Sequence, residues 1–314
     1  MEYNEFINCV RDEVEKLCEE NERVIINSIR KNNSQKHDAI LIKKEGDNAS
    51  PSVYLNYFYE EYKNGKNISE IADSIVRLDR ESRDKLEFDL EEFYQWEKVK
   101  DKIFCRLINR INNPDILKKI PYKEVYDLAM VYYCTFNVGD FDLASTMIHS
   151  SYLENWGITE EELHKTAVNN TARVQRPVLM SVNDMVINLL DIKKLDQDDR
   201  ECIMRQIGAD EEGKSMYVLT NEMKLLGSIC MVYEDLLHDF AMEHGSFYII
   251  PSSIHEVIFV PDRDDIDPSA LLNMIIDVND SQVPKEDILS YNLYYYDVTL
   301  HKIKVINNVK QKIL

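Results

Sequence analysis

Residues 246–262 read SFYIIPSSIHEVIFVPD. Two runs of β-branched and aromatic residues, Phe247–Ile250 and Val257–Val260, flank a polar corner, Pro251-Ser252-Ser253-Ile254-His255-Glu256. Apolar runs this short, bounded by turn residues, predict buried strands with a turn between them. Helical patterns stand on both sides. Asp235–Glu243 precedes the pair, and Asp267 followed by Pro268 gives a capped helix start with proline at the first position. Met216–Thr220 and Ile229–Tyr233 read as further strands, and Tyr291–Tyr296 with Ile303–Ile306 as a closing hairpin. Strands interleaved with helices in this way place the C-terminal third in the α+β class.

Working outward, Tyr3, Phe6, Val10, Val14 and Leu17 recur at helical spacing. Val24–Ile29 and Ala39–Ile42 are β-branched runs around a polar loop, Lys31–His37, which predicts a hairpin, and Ser52–Leu55 predicts a short strand. Asn67-Ile68-Ser69-Glu70 has capping-box form and opens a helix through Ile71, Ile75 and Val76. Apolar runs at Ile103–Ile108, Val125–Phe136 and Thr146–Leu153 include at least two strands, and Thr159 caps a helix to about Asn170. From Ser181 to Gly208 the pattern is helical and charged, with Ser181–Asp184 as its cap. The expected architecture is α+β: two mixed β-sheet modules with helices packed on one face. Residues 1–180 and 213–314 form the modules, joined by a helical connector or insert at 181–212.

The chain has 314 residues, 44% of them apolar, enough for a sizeable core without disulfides or metals. Lys+Arg number 37 against Asp+Glu 57, a net charge of −20. Spread over a folded surface of the expected size, this is about one net negative charge per 700 Å². Such a surface repels phosphate backbones and anionic membranes, so no non-specific nucleic-acid or membrane binding is expected. The six cysteines, at 9, 18, 105, 134, 202 and 230, form no C-x-x-C and fit reduced thiols in a cytoplasm. Cys134 and Cys230 lie in apolar runs and read as small core residues. No apolar run reaches membrane-spanning length.

Gly208-Ala209-Asp210-Glu211-Glu212-Gly213-Lys214-Ser215 matches the phosphate-loop pattern G-x-x-x-x-G-K-[ST]. A phosphate loop follows a strand and opens a helix; here the flanking patterns are in the reverse order. Its three carboxylates would also face the triphosphate, at roughly 1–4 kcal/mol per like-charge contact near 4 Å. The match is read as a surface turn, and no cofactor is expected. Glycine, at 8 residues, is too scarce for further glycine-lined loops. Metal ligation is not expected either. His238 and His244 are six apart, on different faces of a helix. A calcium loop begun at Asp262 has Asp267 where glycine is required and Asn273 where glutamate is required.

The corner supplies the candidate site. Ser253 as nucleophile, His255 as base and Glu256 as orienting carboxylate have the right chemistry for acyl transfer. Residues two apart on an extended strand share a face, so Ser253 and His255 are placed to meet. There is no G-x-S-x-G elbow, and a turn whose side chains bond its own backbone explains the same residues. His149-Ser150-Ser151 is a second polar cluster at the end of an apolar run, with His149 an alternative base. The tyrosine-rich segments Tyr54–Tyr62 and Tyr291–Tyr296 suit either a partner surface or half-buried core positions.

Several blocks together resemble an uncharacterised bacterial family, a domain of unknown function found mainly in low-GC Gram-positive gut bacteria. They are residues 48–55 (NASPSVYL), 59–65 (YEEYKNG), 149–164 (HSSYLENWGITEEELH), 216–221 (MYVLTN), 248–257 (YIIPSSIHEV) and 294–297 (YYYD). Residues 161–164 (EELH) followed by Asn169-Asn170, together with the Pro-Ser corner, resemble a second uncharacterised family from bacilli. Neither resemblance implies a catalytic residue, cofactor or partner. The leading expectation is a non-enzymatic, cytosolic protein-interaction or regulatory module. A hydrolase using Ser253 and His255 is the alternative, and an acidic nucleic-acid mimic the second alternative.

Overall fold

A computed structural model describes residues 1–46, 50–85, 89–138, 142–189 and 216–306. The fold is α+β. In place of two mixed sheets there are three among the described residues, and every strand pairing is antiparallel. Strand signals fix which residues are extended but not which strands pair, so sheet number and direction escape a pattern reading.

The first sheet, in the order β1-β2-β3, comprises β1 (Glu22–Arg30), β2 (Lys36–Lys44) and β3 (Val53–Tyr54). Helices Tyr3–Leu17, Leu55–Lys63 and Ile68–Lys85 share a core with it, built on Phe6, Val10, Val14, Ile40, Leu55, Ile71 and Ile75. The third helix starts as its sequence dictates: Asn67 Oδ1 accepts the Glu70 N–H at 2.9 Å, and Glu70 Oε2 accepts the Asn67 N–H at 3.4 Å. In the β1–β2 turn, Asn33 adopts φ +54° and is fully buried. Its amide donates to the carbonyls of Lys285 and Ile288, and its own N–H donates to Asn113 Oδ1. Asparagine tolerates this backbone region and brings the hydrogen bonds that buried main chain requires.

The second sheet joins β4 (Ile103–Asn109), β5 (Tyr122–Val125), β6 (Leu128–Val138) and β7 (Asp142–Met147), with β6 pairing all three others. The third has the order β13-β12-β10-β11-β9-β8. Its strands are β8 (Pro177–Ser181), β9 (Tyr217–Asn221), β10 (Phe247–Ile250), β11 (Val257–Pro261), β12 (Leu293–Asp297) and β13 (Lys302–Ile306). Strand β8 precedes the 181–212 stretch and pairs with β9, which follows it. Of that stretch, the described part is the helix Val182–Leu189, where Ser181 Oγ accepts the Asp184 N–H at 3.0 Å. The remainder, with Cys202 and the Gly208–Ser215 match, lies outside the described residues.

One face of the third sheet, carrying Leu219, Phe247, Ile249, Val257, Phe259 and Tyr294, shares a single core with Ile103, Cys105, Leu107 and Tyr132 of the second. Each such fully buried side chain contributes about 1.5–3 kcal/mol relative to exposure. The other face is partly covered by the helix Pro268–Ser281, whose Leu271 and Ile275 pack on Tyr248, Ile250, Val260 and Leu293. Asp267 caps this helix by accepting the Ser269 N–H at 2.9 Å. Cys134 and Cys230 are core residues, and burial pushes both thiols up to about 12.

One predicted strand is corrected. Ile229–Val232 lies in a 3₁₀ helix, Gly227–Val232, that Tyr233 follows, with Gly227 through Met231 buried. A run buried on every side shows no periodicity, so apolarity alone cannot separate strand from helix. What turns it is local: Leu226 sits at φ +56°, and the Ser228 N–H and hydroxyl both donate to the Ile254 carbonyl.

Candidate functional site

The corner between β10 and β11 is held by short-range hydrogen bonds. The hydroxyls of Ser253 and Ser252 both donate to Glu256 Oε1, at 2.8 and 3.2 Å. Ser253 Oγ also accepts the His255 N–H at 2.9 Å, and the Ser253 N–H donates to the Glu256 carbonyl at 3.1 Å. These are the self-contained bonds that serine favours in turns.

His255 is engaged elsewhere. Its Nδ1 accepts the Leu226 N–H at 3.1 Å, and its Nε2 faces Asp287 Oδ1 at 3.5 Å. The Asp287 carboxylate pushes the imidazole's pKa up, and partial burial works against it. The bond from Leu226 keeps Nδ1 an acceptor, so the ring's proton sits on Nε2, toward Asp287. Ser253 and His255 thus meet through the histidine's backbone N–H, while the imidazole points both nitrogens at other groups. A serine nucleophile needs its base within hydrogen-bond reach, and the hydroxyl is given to a carboxylate instead.

His149 occupies a different place. It precedes the helix Ser150–Trp156, is exposed, and packs its ring against Tyr152 at 5.6 Å. With Arg30, Lys118 and Lys119 it lines a cleft of about 580 Å³ that includes none of the corner residues. The two polar clusters do not converge.

What the corner does border is a second cleft, of about 420 Å³. Ser252, Glu256, Thr220 and Lys224 form its polar side. Its apolar floor follows from strand alternation. Met180, Val218 and Ile258 are register partners across β8, β9 and β11, and so lie in one row on one face. Val178, two residues before Met180 on β8 and paired with Thr220, adds to the same face, and Met185, from the helix Val182–Leu189, lines the cleft as well. The helix Pro268–Ser281 covers the Tyr248–Val260 part of this same face. The cleft lies over the part toward β8.

Several supporting residues are missing from the sequence reading: Asp287, Leu226, Gly227 and Thr220. Thr220 Oγ1 donates to the His255 carbonyl at 2.8 Å, and the Ile254 N–H donates to the Asp287 carbonyl at 2.8 Å. Gly227 carried the available signal, since a glycine inside an apolar run marks close backbone approach. A Cβ there would stand 2.6 Å from the His255 carbonyl oxygen. Asp287, three residues after Pro284, had no pattern to mark it.

The tyrosine-rich segments divide. Tyr291, Tyr294 and Tyr296 are buried, whereas Tyr57 is 67% exposed. Among the described residues no helix is long and apolar enough to cross a membrane. Nor is any group of three or more His, Cys, Asp or Glu side chains gathered to hold a metal ion.

The blocks noted in the sequence and the corner they build fit a family whose pattern matches residues 3–298. The chain belongs to the DUF5688 family, a family of unknown function. The match takes in all three sheets as far as Asp297 and Val298, including the corner and its cleft. No curated protein and no solved structure matches the chain. Membership in DUF5688 therefore brings no assigned activity, and a functional reading rests on the cleft itself.

Proposed function

We propose that this DUF5688 protein is a non-catalytic, cytoplasmic bacterial interaction module, and that an extended segment of a protein partner places apolar side chains in the cleft beside Pro251–Glu256. The observation that carries the reading is the apolar row Met180–Val218–Ile258 on a sheet face that the helix Pro268–Ser281 covers only in part. The row ends at β8, the edge strand of the sheet order among the described residues. An added strand there would carry alternate side chains over the row, the usual logic of strand-addition binding. Methionines at 180 and 185 suit such a surface, because thioether side chains repack around varied apolar groups. Ser252, Thr220 and Glu256 along one side supply hydrogen-bonding groups to a partner's backbone.

The catalytic-type groups support binding over chemistry, since Ser253, Glu256 and His255 are bonded to one another, to Asp287 and to main chain. The described cysteines are all free thiols, in keeping with a reducing compartment. A net charge of −20 opposes non-specific contact with nucleic acid.

The test is site-specific photo-crosslinking from position 185 in host cytosol, with and without Val218→Asp. A discrete crosslinked protein, lost in the folded Val218→Asp variant, is the expected result. Crosslinking that is unchanged by the charge, or confined to small molecules, overturns the reading.

A further inference from the structure

His238 lies on the helix Glu234–His244, and His301 in the turn joining β12 to β13. Helical spacing separates His238 from His244, and in the fold each has a different neighbour. His244 packs against Phe240 and Tyr217, at 4.4 and 4.9 Å between ring centroids. His238 meets His301, 63 residues away, with their Nδ1 atoms 3.3 Å apart and ring centroids 5.0 Å apart. Both rings line a cleft of about 430 Å³ together with Glu234, Asp235 and Lys302.

We propose that this cleft binds a divalent late transition metal ion, zinc being the reference case, through His238 Nδ1, His301 Nδ1 and a carboxylate from the first turn of the helix. Two metal–nitrogen bonds of about 2.0–2.1 Å at a tetrahedral angle separate their nitrogens by about 3.3–3.4 Å. The observed spacing, held here by a hydrogen bond between the two rings, already has that value, and the metal would replace the shared proton. Glu234 and Asp235 stand four and three residues before His238, the helical spacing that puts side chains on one face. They border the same cleft, and one of them supplies the third ligand by reorienting, with water completing the tetrahedron. This step is needed because the two imidazoles do not already have a third ligand gathered beside them. Imidazole donors select zinc, copper or nickel over magnesium or calcium. His301 is held at φ +49°, a backbone region uncommon outside glycine, so its ring is aimed by a constrained turn rather than by a free loop. Glu234 and Asp235 outweigh Lys302, and the net charge of −20 draws cations toward the surface generally.

The experiment is calorimetric titration of the full chain with zinc chloride in excess magnesium, which occupies scattered surface carboxylates. Cobalt(II) absorption then reports the ligand set. The expected result is one tight equivalent with a tetrahedral cobalt spectrum lacking thiolate charge-transfer bands. Losing a direct ligand costs at least what losing an outer-shell partner costs, so His238→Ala and His301→Asn each weaken binding by about tenfold or more. Asparagine at 301 keeps the left-handed turn. His149→Ala, in the other cleft, leaves binding unchanged. The double variant Glu234→Gln, Asp235→Asn weakens it, and full affinity there removes the carboxylate from the assignment. Absence of zinc binding, or zinc binding that survives both histidine variants, overturns the site.

Discussion

The Ser253 hydroxyl is bonded twice: it donates to Glu256 Oε1 at 2.8 Å and accepts the backbone N–H of His255 at 2.9 Å. Ser253 is buried, and both bonds are at least partly shielded from water. Removing the hydroxyl leaves a buried N–H without its acceptor and a carboxylate oxygen without one of its two serine donors. Ser253→Ala is expected to lower stability by about 1–3 kcal/mol in urea denaturation. The wild-type serine should resist fluorophosphonate labelling, because no imidazole draws off its proton. Stoichiometric labelling of Ser253 would return the hydrolase reading to the front.

The His255–Asp287 contact makes a pH prediction. Asp287 raises the imidazole's pKa above its unfolded value of about 6.5. A raised folded pKa means the native state binds the extra proton more tightly. The Asp287 contribution is therefore full below about pH 6.5 and fades as pH rises through the higher folded value, while the Leu226 bond, which needs an unprotonated Nδ1, acts in the opposite sense. Asp287→Asn should lower the His255 pKa seen by NMR titration. It should also cost more stability at about pH 5.5 than at about pH 8.5. No loss at either pH would show that Asp287 acts through its backbone contact with Ile254 alone.

Much of the fold was legible because its signals are local. The Asn67–Glu70 capping box, the Asp267 cap and the β10–β11 pair each depend on residues a few positions apart, and each is where the pattern placed it. The site was legible only in part. Ser252, Ser253 and Glu256 do meet, since a turn brings neighbours together. The partners of His255 come from residues 226 and 287, in segments that tertiary packing alone makes adjacent. The same holds for His238. Helical periodicity correctly separates it from His244, and the fold supplies His301 from a hairpin turn that no spacing rule reaches. Ile229–Tyr233 failed for another reason, since uniform burial erased the period that would have distinguished helix from strand.

Gly227 is a steric requirement of the corner. A Cβ at this position would press on Thr220 Oγ1, and would lie 2.6 Å from the His255 carbonyl oxygen and 2.7 Å from the Asn221 nitrogen. Two of these neighbours are main chain, one in β9 and one in the corner, and neither can rotate aside. Gly227→Ala is expected to cost about 3 kcal/mol or more, at the upper end of overpacking changes. Shifted amide resonances should concentrate at residues 219–221 and 253–256. A near-neutral stability change would mean the corner moves freely against β9.

Asp127 joins two sheets through one carboxylate. It follows Tyr126, at φ +58° in the turn between β5 and β6, and reaches across to the C-terminal segment. Its Oδ1 accepts the Tyr294 hydroxyl at 2.6 Å, while Oδ2 accepts the Ser290 hydroxyl at 2.6 Å and the Asn292 amide at 2.9 Å. Tyr294 is fully buried, and burial with the adjacent carboxylate holds its phenol well above the usual range, protonated and donating. Three donors converge on a charge with no cation among them, so the hydrogen bonds themselves stabilise the carboxylate. Asp127→Ala strands all three donors, at about 1–3 kcal/mol for each that is left unsatisfied, a large fraction of the roughly 5–15 kcal/mol available to a domain. Tyr294→Phe removes one donor and keeps the ring's packing, for about 1.5–3 kcal/mol. Because the residues touch, their effects should not add, and a double-mutant cycle should return a coupling of about 1–3 kcal/mol. Additive losses would mean that Asp127 holds the β5–β6 turn in place without binding the third sheet to the second.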